Sequence, residues 1–267
     1  MTMIPYMNEI ITEYTKYSKD LKTAVTPAAE HLFKIDEDAV KLDEEMGKVF
    51  HHFVAKCLFA TKRARPDIHT AVAFLTTCVR APDKDDWKKL QRLIRYIRGT
   101  LTLPLILSAD GTSVIKWWVD GSHGVHFDMR GHTGGMASLG KGALMPTSTR
   151  QKLNTRSSTE TELVGADDMM PQIMWNNYFL DAQGYGLKQT ILFQDNRSAI
   201  LLENNGKMSS SKRTKHVNIR YYFIKDRINK KELSVEYCPT GEMTADYFTK
   251  PLQGKLFFKF RKTIMNE

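Results

Sequence analysis

A chain of 267 residues, 42% hydrophobic and 26% charged, has the length for one large domain or two ordinary ones and the composition of a globular protein. Its three cysteines, Cys57, Cys78 and Cys238, give neither a disulfide framework nor a zinc-ligand spacing, and no apolar run approaches the ~20 residues of a membrane span. A soluble intracellular protein without a membrane partner is expected, and the net charge of +9 points to a polyanion such as nucleic acid, with an ordinary basic enzyme as the alternative.

The first hundred residues read as helical. Residues 1–40 carry no assignable pattern, and Thr26-Pro27 interrupts them. From Glu44 to Ala60 the apolar residues Met46, Val49, Phe50, Phe53, Val54, Cys57 and Leu58 recur at three and four, a helical stripe. Pro66-Asp67 starts a second helix over Ile68 to Val79, and Pro82-Asp83 starts a third. On the third, Trp87, Leu90, Leu93, Ile94 and Ile97 make an apolar face. Lys88, Lys89, Arg92, Arg95 and Arg98 fall mostly off it, either as a solvated surface or as a contact for backbone phosphates. Gly99-Thr100 ends that helix.

Beyond Gly99 the pattern becomes strand-like. Residues 103–108 and 112–119 flank Asp110-Gly111, a dipeptide favoured in hairpin turns. Strands follow over 133–139 and 143–149. Ser157-Ser158-Thr159-Glu160 is a helix start with hydroxyl caps and early acids, for a helix reaching Leu180 and closing at Gly184. A strand over 190–194, a short helix over 196–203, a helix over 217–229, a strand over 233–238 and a terminal helix after Pro239-Thr240 complete a mixed α/β sheet.

Four acids fall at element boundaries: Asp120, Glu162, Asp195 and Asp246. Individually each reads as a turn former, a cap or a first-turn acid. Carboxylates brought together from such boundaries ask for a hard divalent cation, because their mutual repulsion is otherwise costly. Residues 207–231 hold nine lysines and arginines and one acid, Asp226. Lys212, Arg213 and Lys215 there, followed by His216 and Arg220, are candidates for phosphate contact, with a solvated basic loop as the alternative. His123, His126 and His132 cluster near Asp120 without a zinc-like spacing.

Four segments carry a resemblance. Ser157-Ser158-Thr159-Glu160-Thr161-Glu162-Leu163, Gln194-Asp195-Asn196-Arg197-Ser198-Ala199-Ile200, the stretch from Ser211 to Tyr221, and Ala245-Asp246-Tyr247-Phe248-Thr249-Lys250-Pro251-Leu252 occur in this order. Together they resemble the end of the Pol polyprotein of copia-type retrotransposons, over residues 44–255. The resemblance implies an α/β fold, a ribonuclease H-like mixed five-stranded sheet with flanking helices over 101–267, preceded by a small helical segment over 1–100 similar to the tail of a reverse transcriptase (thumb or connection). It implies Asp120, Glu162, Asp195 and Asp246 as metal-binding and catalytic acids. Glu162 is preferred to Glu160 because it directly precedes an apolar residue entering the helix. Gly121 and His123 depart from the alanine and tryptophan of many family members, which puts local packing in question.

The implied activity is cleavage of the RNA strand of RNA–DNA hybrids with two Mg²⁺ ions, or Mn²⁺, and no small-molecule cofactor. A non-catalytic nucleic-acid-binding remnant is the alternative. The resemblance also implies a location in a cytoplasmic particle or the nucleus. No polymerase activity is expected, since no tyrosine-x-aspartate-aspartate tetrapeptide occurs; Asp85-Asp86 and Asp167-Asp168 stand in other contexts.

Overall fold

The computed structural model describes residues 1–19, 22–206 and 218–267. The chain packs as two compact units, Met1–Ile106 with Lys250–Glu267, and Leu107–Thr249. The last eighteen residues therefore belong with the helical unit, not with the sheet as the 101–267 boundary had it. Among the described residues no helix is long and apolar enough to cross a membrane.

The helical unit contains α1 (Ile4–Tyr14), α2 (Glu44–Thr61), α3 (His69–Cys78) and α4 (Lys84–Gly99), with a 3-10 turn at Pro66–Ile68 before α3. Local chemistry sets the helix starts. The Asp43 carboxylate accepts the amide hydrogen bond of Met46 at 2.8 Å. Asp83 and Asp86 form a reciprocal capping box at the head of α4. Leu90, Leu93, Ile94 and Ile97 are buried, as their spacing requires, and Trp87 stacks on Tyr14.

Burial here also reaches polar residues. Arg65, 1% exposed, grips Asp67 with two hydrogen bonds of 2.8 Å, and the Tyr96 hydroxyl donates to the same carboxylate at 2.9 Å. Such a pair is kept in the interior only when its remaining donors and acceptors are used, and Thr100 accepts from the guanidinium at 2.6 Å.

In the second unit the strands are β1 (Ser108–Ala109), β2 (Val114–Ser122), β3 (His132–Ser138), β4 (Gly140–Lys141), β5 (Leu144–Arg150), β6 (Gln189–Gln194) and β7 (Ser234–Tyr237). A five-stranded sheet has the order β5-β3-β2-β6-β7. β2, β3 and β5 are antiparallel neighbours, while β6 runs parallel to β2 and β7 parallel to β6. The helices are α5 (Ser158–Ala182), between β5 and β6, then α6 (Arg197–Asn205) and α7 (Asn218–Asn229), between β6 and β7, and α8 (Asp246–Thr249). This is the expected α/β architecture, a mixed five-stranded sheet with flanking helices. The helix α9 (Gly254–Met265) belongs to the helical unit.

The hairpin expected at Asp110-Gly111 does not form. The Asp110 carboxylate instead accepts from Thr112 N and Oγ1, and the Asp110 amide donates to Leu139 O, so β1 pairs with β4. The single terminal helix expected after Pro239 is likewise broken into a 3-10 turn, α8 and α9, with Pro251 between the last two.

Alternation along β2 sorts its two faces. Ile115, Trp117 and Val119 pack against Ala166, Met169, Met170 and Ile173 of α5 and Leu192 of β6. Trp118 lies on the opposite face, stacked on Phe193 at 5.3 Å. Asp120 follows Trp118 on that face, because side chains alternate with period two.

Candidate active site

Three of the four acids meet. One carboxylate oxygen from each of Asp120, Glu162 and Asp195 lies within 4.8 Å of the others. They come from the C-terminal part of β2, the first turns of α5 and the residue just after β6. Asp120 sits inside β2, which runs on to Ser122, and not at the strand's end. Asp120 and Glu162 are buried and Asp195 is half-buried.

Neighbours fix each carboxylate. The Gly121 amide donates to Glu162 Oε2 at 3.0 Å, so α5 is tied to β2 beside Asp120. Thr249 Oγ1 donates to Asp120 Oδ2, and Thr240 Oγ1 donates to Asp195 Oδ2 at 3.0 Å. Glu160 is occupied otherwise, accepting from Arg156 N at 2.8 Å below the helix start capped by Ser157.

Gly121, one of the two positions where the resemblance breaks, has no room for a side chain. A Cβ there would stand 2.6 Å from Thr161 O, closer than real Cβ contacts come. His123, the other departure, has its Nδ1 2.9 Å from Thr161 Oγ1.

Asp246 opens α8 and is buried, but it is not one of the three mutually close carboxylates. It shares their electrostatic neighbourhood. Burial pushes the Cys238 thiol up to about 11, and the negative charges of Glu242, Asp195 and Asp246 add to that effect. α8 also delivers Thr249, one helical turn after Asp246, onto Asp120. That role was missed from sequence, although Thr249 stands in the terminal motif at the i+3 spacing that places it on the face of Asp246.

Of the candidate phosphate contacts, Lys212, Arg213, Lys215 and His216 lie outside the described residues. Arg220 is described, and its guanidinium pairs with Asp167 of α5. Asp168 accepts from Thr133 Oγ1 at 3.3 Å, and burial raises the carboxyls of both Asp167 and Asp168. Asp86 accepts from Asp83 N in the α4 capping box. Both acidic pairs are thus built into helices. On α4, Lys89 bridges to Asp85 and Arg92 donates to Thr26 Oγ1, so part of the basic face is spent inside the unit.

The donor set suits a hard cation. All three converging ligands are carboxylate oxygens, and among the described residues neither sulfur nor imidazole joins the group. His126 and His132 are hydrogen-bonded to each other at 2.9 Å and stand outside it.

Sequence comparison gives this geometry its context. The chain is 29% identical over 250 residues to the retrovirus-related Pol polyprotein from transposon TNT 1-94 of Nicotiana tabacum, across 92% of the chain. It is 30% identical over 202 residues to those from transposons RE2 and RE1 of Arabidopsis thaliana. Its homologues are Pol polyproteins of copia-type plant transposons. The likeness to the tobacco protein covers enough of the chain to reach into the first 40 residues, which had no pattern of their own. The chain spans 18% of the tobacco polyprotein and 14% of each Arabidopsis one. No protein-family model matches the chain. Similar solved structures include a ribonuclease H1 isolated from compost, at 12% identity and TM-score 0.36 over 51% of this chain and 92% of that one. Another is the N-terminal ribonuclease H domain of a Mycobacterium tuberculosis protein, at 10% identity and TM-score 0.35 over 51% and 90%.

Proposed function

We propose that the sheet unit is a retroelement ribonuclease H, an endonuclease that cuts the RNA strand of RNA–DNA hybrids with divalent metal. The observation carrying this reading is the convergence of Asp120, Glu162 and Asp195, three carboxylates from separate elements, in a chain homologous to Pol polyproteins. These three would hold Mg²⁺ or Mn²⁺, with Asp246 contributing from α8. When bound, a pair of such ions supplies Lewis acidity to the attacking and leaving oxygens of an in-line displacement at a phosphodiester.

The protein's own share is orientation. Thr249, Gly121 N and Thr240 each fix one carboxylate, so the ligands need little rearrangement when a cation enters. Selection of RNA would come from hydrogen bonds to 2′-hydroxyls, and the DNA strand would be held by phosphate contacts. Lys212, Arg213, Lys215 and His216 are assigned to those contacts. Arg220 would act indirectly, anchoring α7 through Asp167. Residues 1–100 are assigned as a reverse-transcriptase tail without polymerase activity.

The test is cleavage of one sequence presented as hybrid, duplex DNA and duplex RNA, each with Mg²⁺ and with chelator. Metal-dependent cutting of the hybrid alone is expected. Cutting of duplex DNA would point to another nuclease sharing the fold, and hybrid binding without cutting would mark a non-catalytic remnant.

A further inference from the structure

Beneath α8 runs a chain of buried hydrogen bonds that contains none of the proposed metal ligands. His126 Nε2 lies 2.9 Å from His132 Nδ1, and His132 Nε2 lies 2.8 Å from Ser148 Oγ. Ser148 Oγ donates to the Phe248 carbonyl at 2.7 Å. All four residues are buried, with His126 the most exposed at 5%. Three polar side chains in one line are costly to bury, so a role beyond filling space is called for.

The end of the line fixes its direction. A carbonyl only accepts, so the Ser148 hydroxyl spends its proton on Phe248 O and accepts from His132 Nε2–H. His132 Nδ1 then carries a lone pair and accepts from His126 Nε2–H. In the neutral forms that burial favours, this order gives both imidazoles the Nε2–H tautomer. Burial disfavours the charged forms and lowers His126 to about 4 and His132 to about 3.

The line terminates in α8 one residue before Thr249, whose hydroxyl holds Asp120. α8 rests on β3 at close range. A Cβ on Gly134 would meet Thr249 Cγ2 at 2.5 Å and Ala245 O at 2.9 Å. His132 and Ser148 flank that contact from β3 and β5, where Gly134 pairs with Ser148.

We infer that His126, His132 and Ser148 are positioning residues that clamp α8 to the sheet and so aim the Asp120 carboxylate for a divalent cation. This inference rests on the metal-site reading above and adds to it residues that lie outside the acid cluster.

The experiment uses the full chain. Ring ¹⁵N chemical shifts at neutral pH should report the Nε2–H tautomer for both His126 and His132. Mn²⁺ binding, followed by loss of the free-ion paramagnetic resonance signal, should weaken at least about tenfold in Ser148→Ala, the usual scale for an outer partner of a metal ligand. Ser148→Thr, which keeps the hydroxyl, should restore it. If Ser148→Ala does not fold, Ser148→Cys replaces the hydroxyl by a weak donor of similar size. An Nδ1–H tautomer at His132, unchanged Mn²⁺ affinity in the donor-deficient variant, or failure of Ser148→Thr to rescue overturns the inference. If the unaltered chain binds no Mn²⁺, the metal-site reading falls and takes this inference with it. Wild-type binding with indifferent variants overturns the clamp alone.

Discussion

At the scale of single residues, the candidate site depends on close approaches that leave no room for error. Gly121→Ala would place a methyl group 2.6 Å from Thr161 O and push the first turn of α5 away from β2, taking Glu162 with it. A cleavage rate reduced at least about tenfold is expected, with hybrid affinity little changed, because misplacing a ligand damages the reacting geometry more than binding. Steady-state kinetics separates the two, and unaltered turnover would show that the α5 contact is not needed. Thr249→Val tests the neighbouring support. It removes the hydrogen bond to Asp120 while keeping the side chain's volume, so the metal concentration for half-maximal cleavage should rise. A titration with Mg²⁺ measures this, and an unmoved midpoint would argue against the role given to Thr249.

At the scale of elements, the sequence was most informative where a local pattern had a single structural solution. The stripe of α2, the Pro82-Asp83 start of α4 and the Ser157 helix start are short-range signals, and these elements formed where expected. Pairing partners were hidden. Nothing near Asp110-Gly111 announces that β1 will pair with β4, because that choice is made by Leu139, far along the chain. The acids were legible as boundary residues in motifs, whereas their supports Thr240, Thr249 and Gly121 N become visible only once α8 and α5 are placed.

Buried polar pairs are hidden from periodicity for the same reason. Arg65 reads as one more surface cation until Asp67 and Tyr96 are seen around it. Breaking that pair with Asp67→Asn leaves a buried guanidinium uncompensated and should cost about 3–5 kcal/mol. Urea unfolding of the variant measures it, and a loss below about 1 kcal/mol would mean that water reaches the pair.

At the scale of the whole molecule, stability carries a pH signature. Glu203 is fully buried on α6, and burial alone pushes its carboxyl up to about 8 from an ordinary 4.5. The folded state therefore holds a proton that the unfolded chain releases above 4.5. Between about pH 4.5 and 8 the native state binds more protons, so this group makes stability fall as pH rises, with no further change above 8. Glu203→Gln keeps the shape and removes the titration. It should stabilise the protein at pH 8 relative to wild type and flatten this part of the profile, as read by thermal melts across that range. An unchanged slope would assign the dependence elsewhere.

The same scale holds the functional claim, which joins acids from β2, α5 and the end of β6 into one centre. Asp195→Asn tests it most directly, because it removes a ligand charge with almost no change in volume. The measurement is cleavage and binding of one labelled RNA–DNA hybrid by wild type and variant, side by side in Mg²⁺. Cutting by wild type, no cutting by the variant and binding within about twofold of wild type are expected, in keeping with an interaction used mainly in the transition state. Equal cutting by both proteins would contradict the proposed centre.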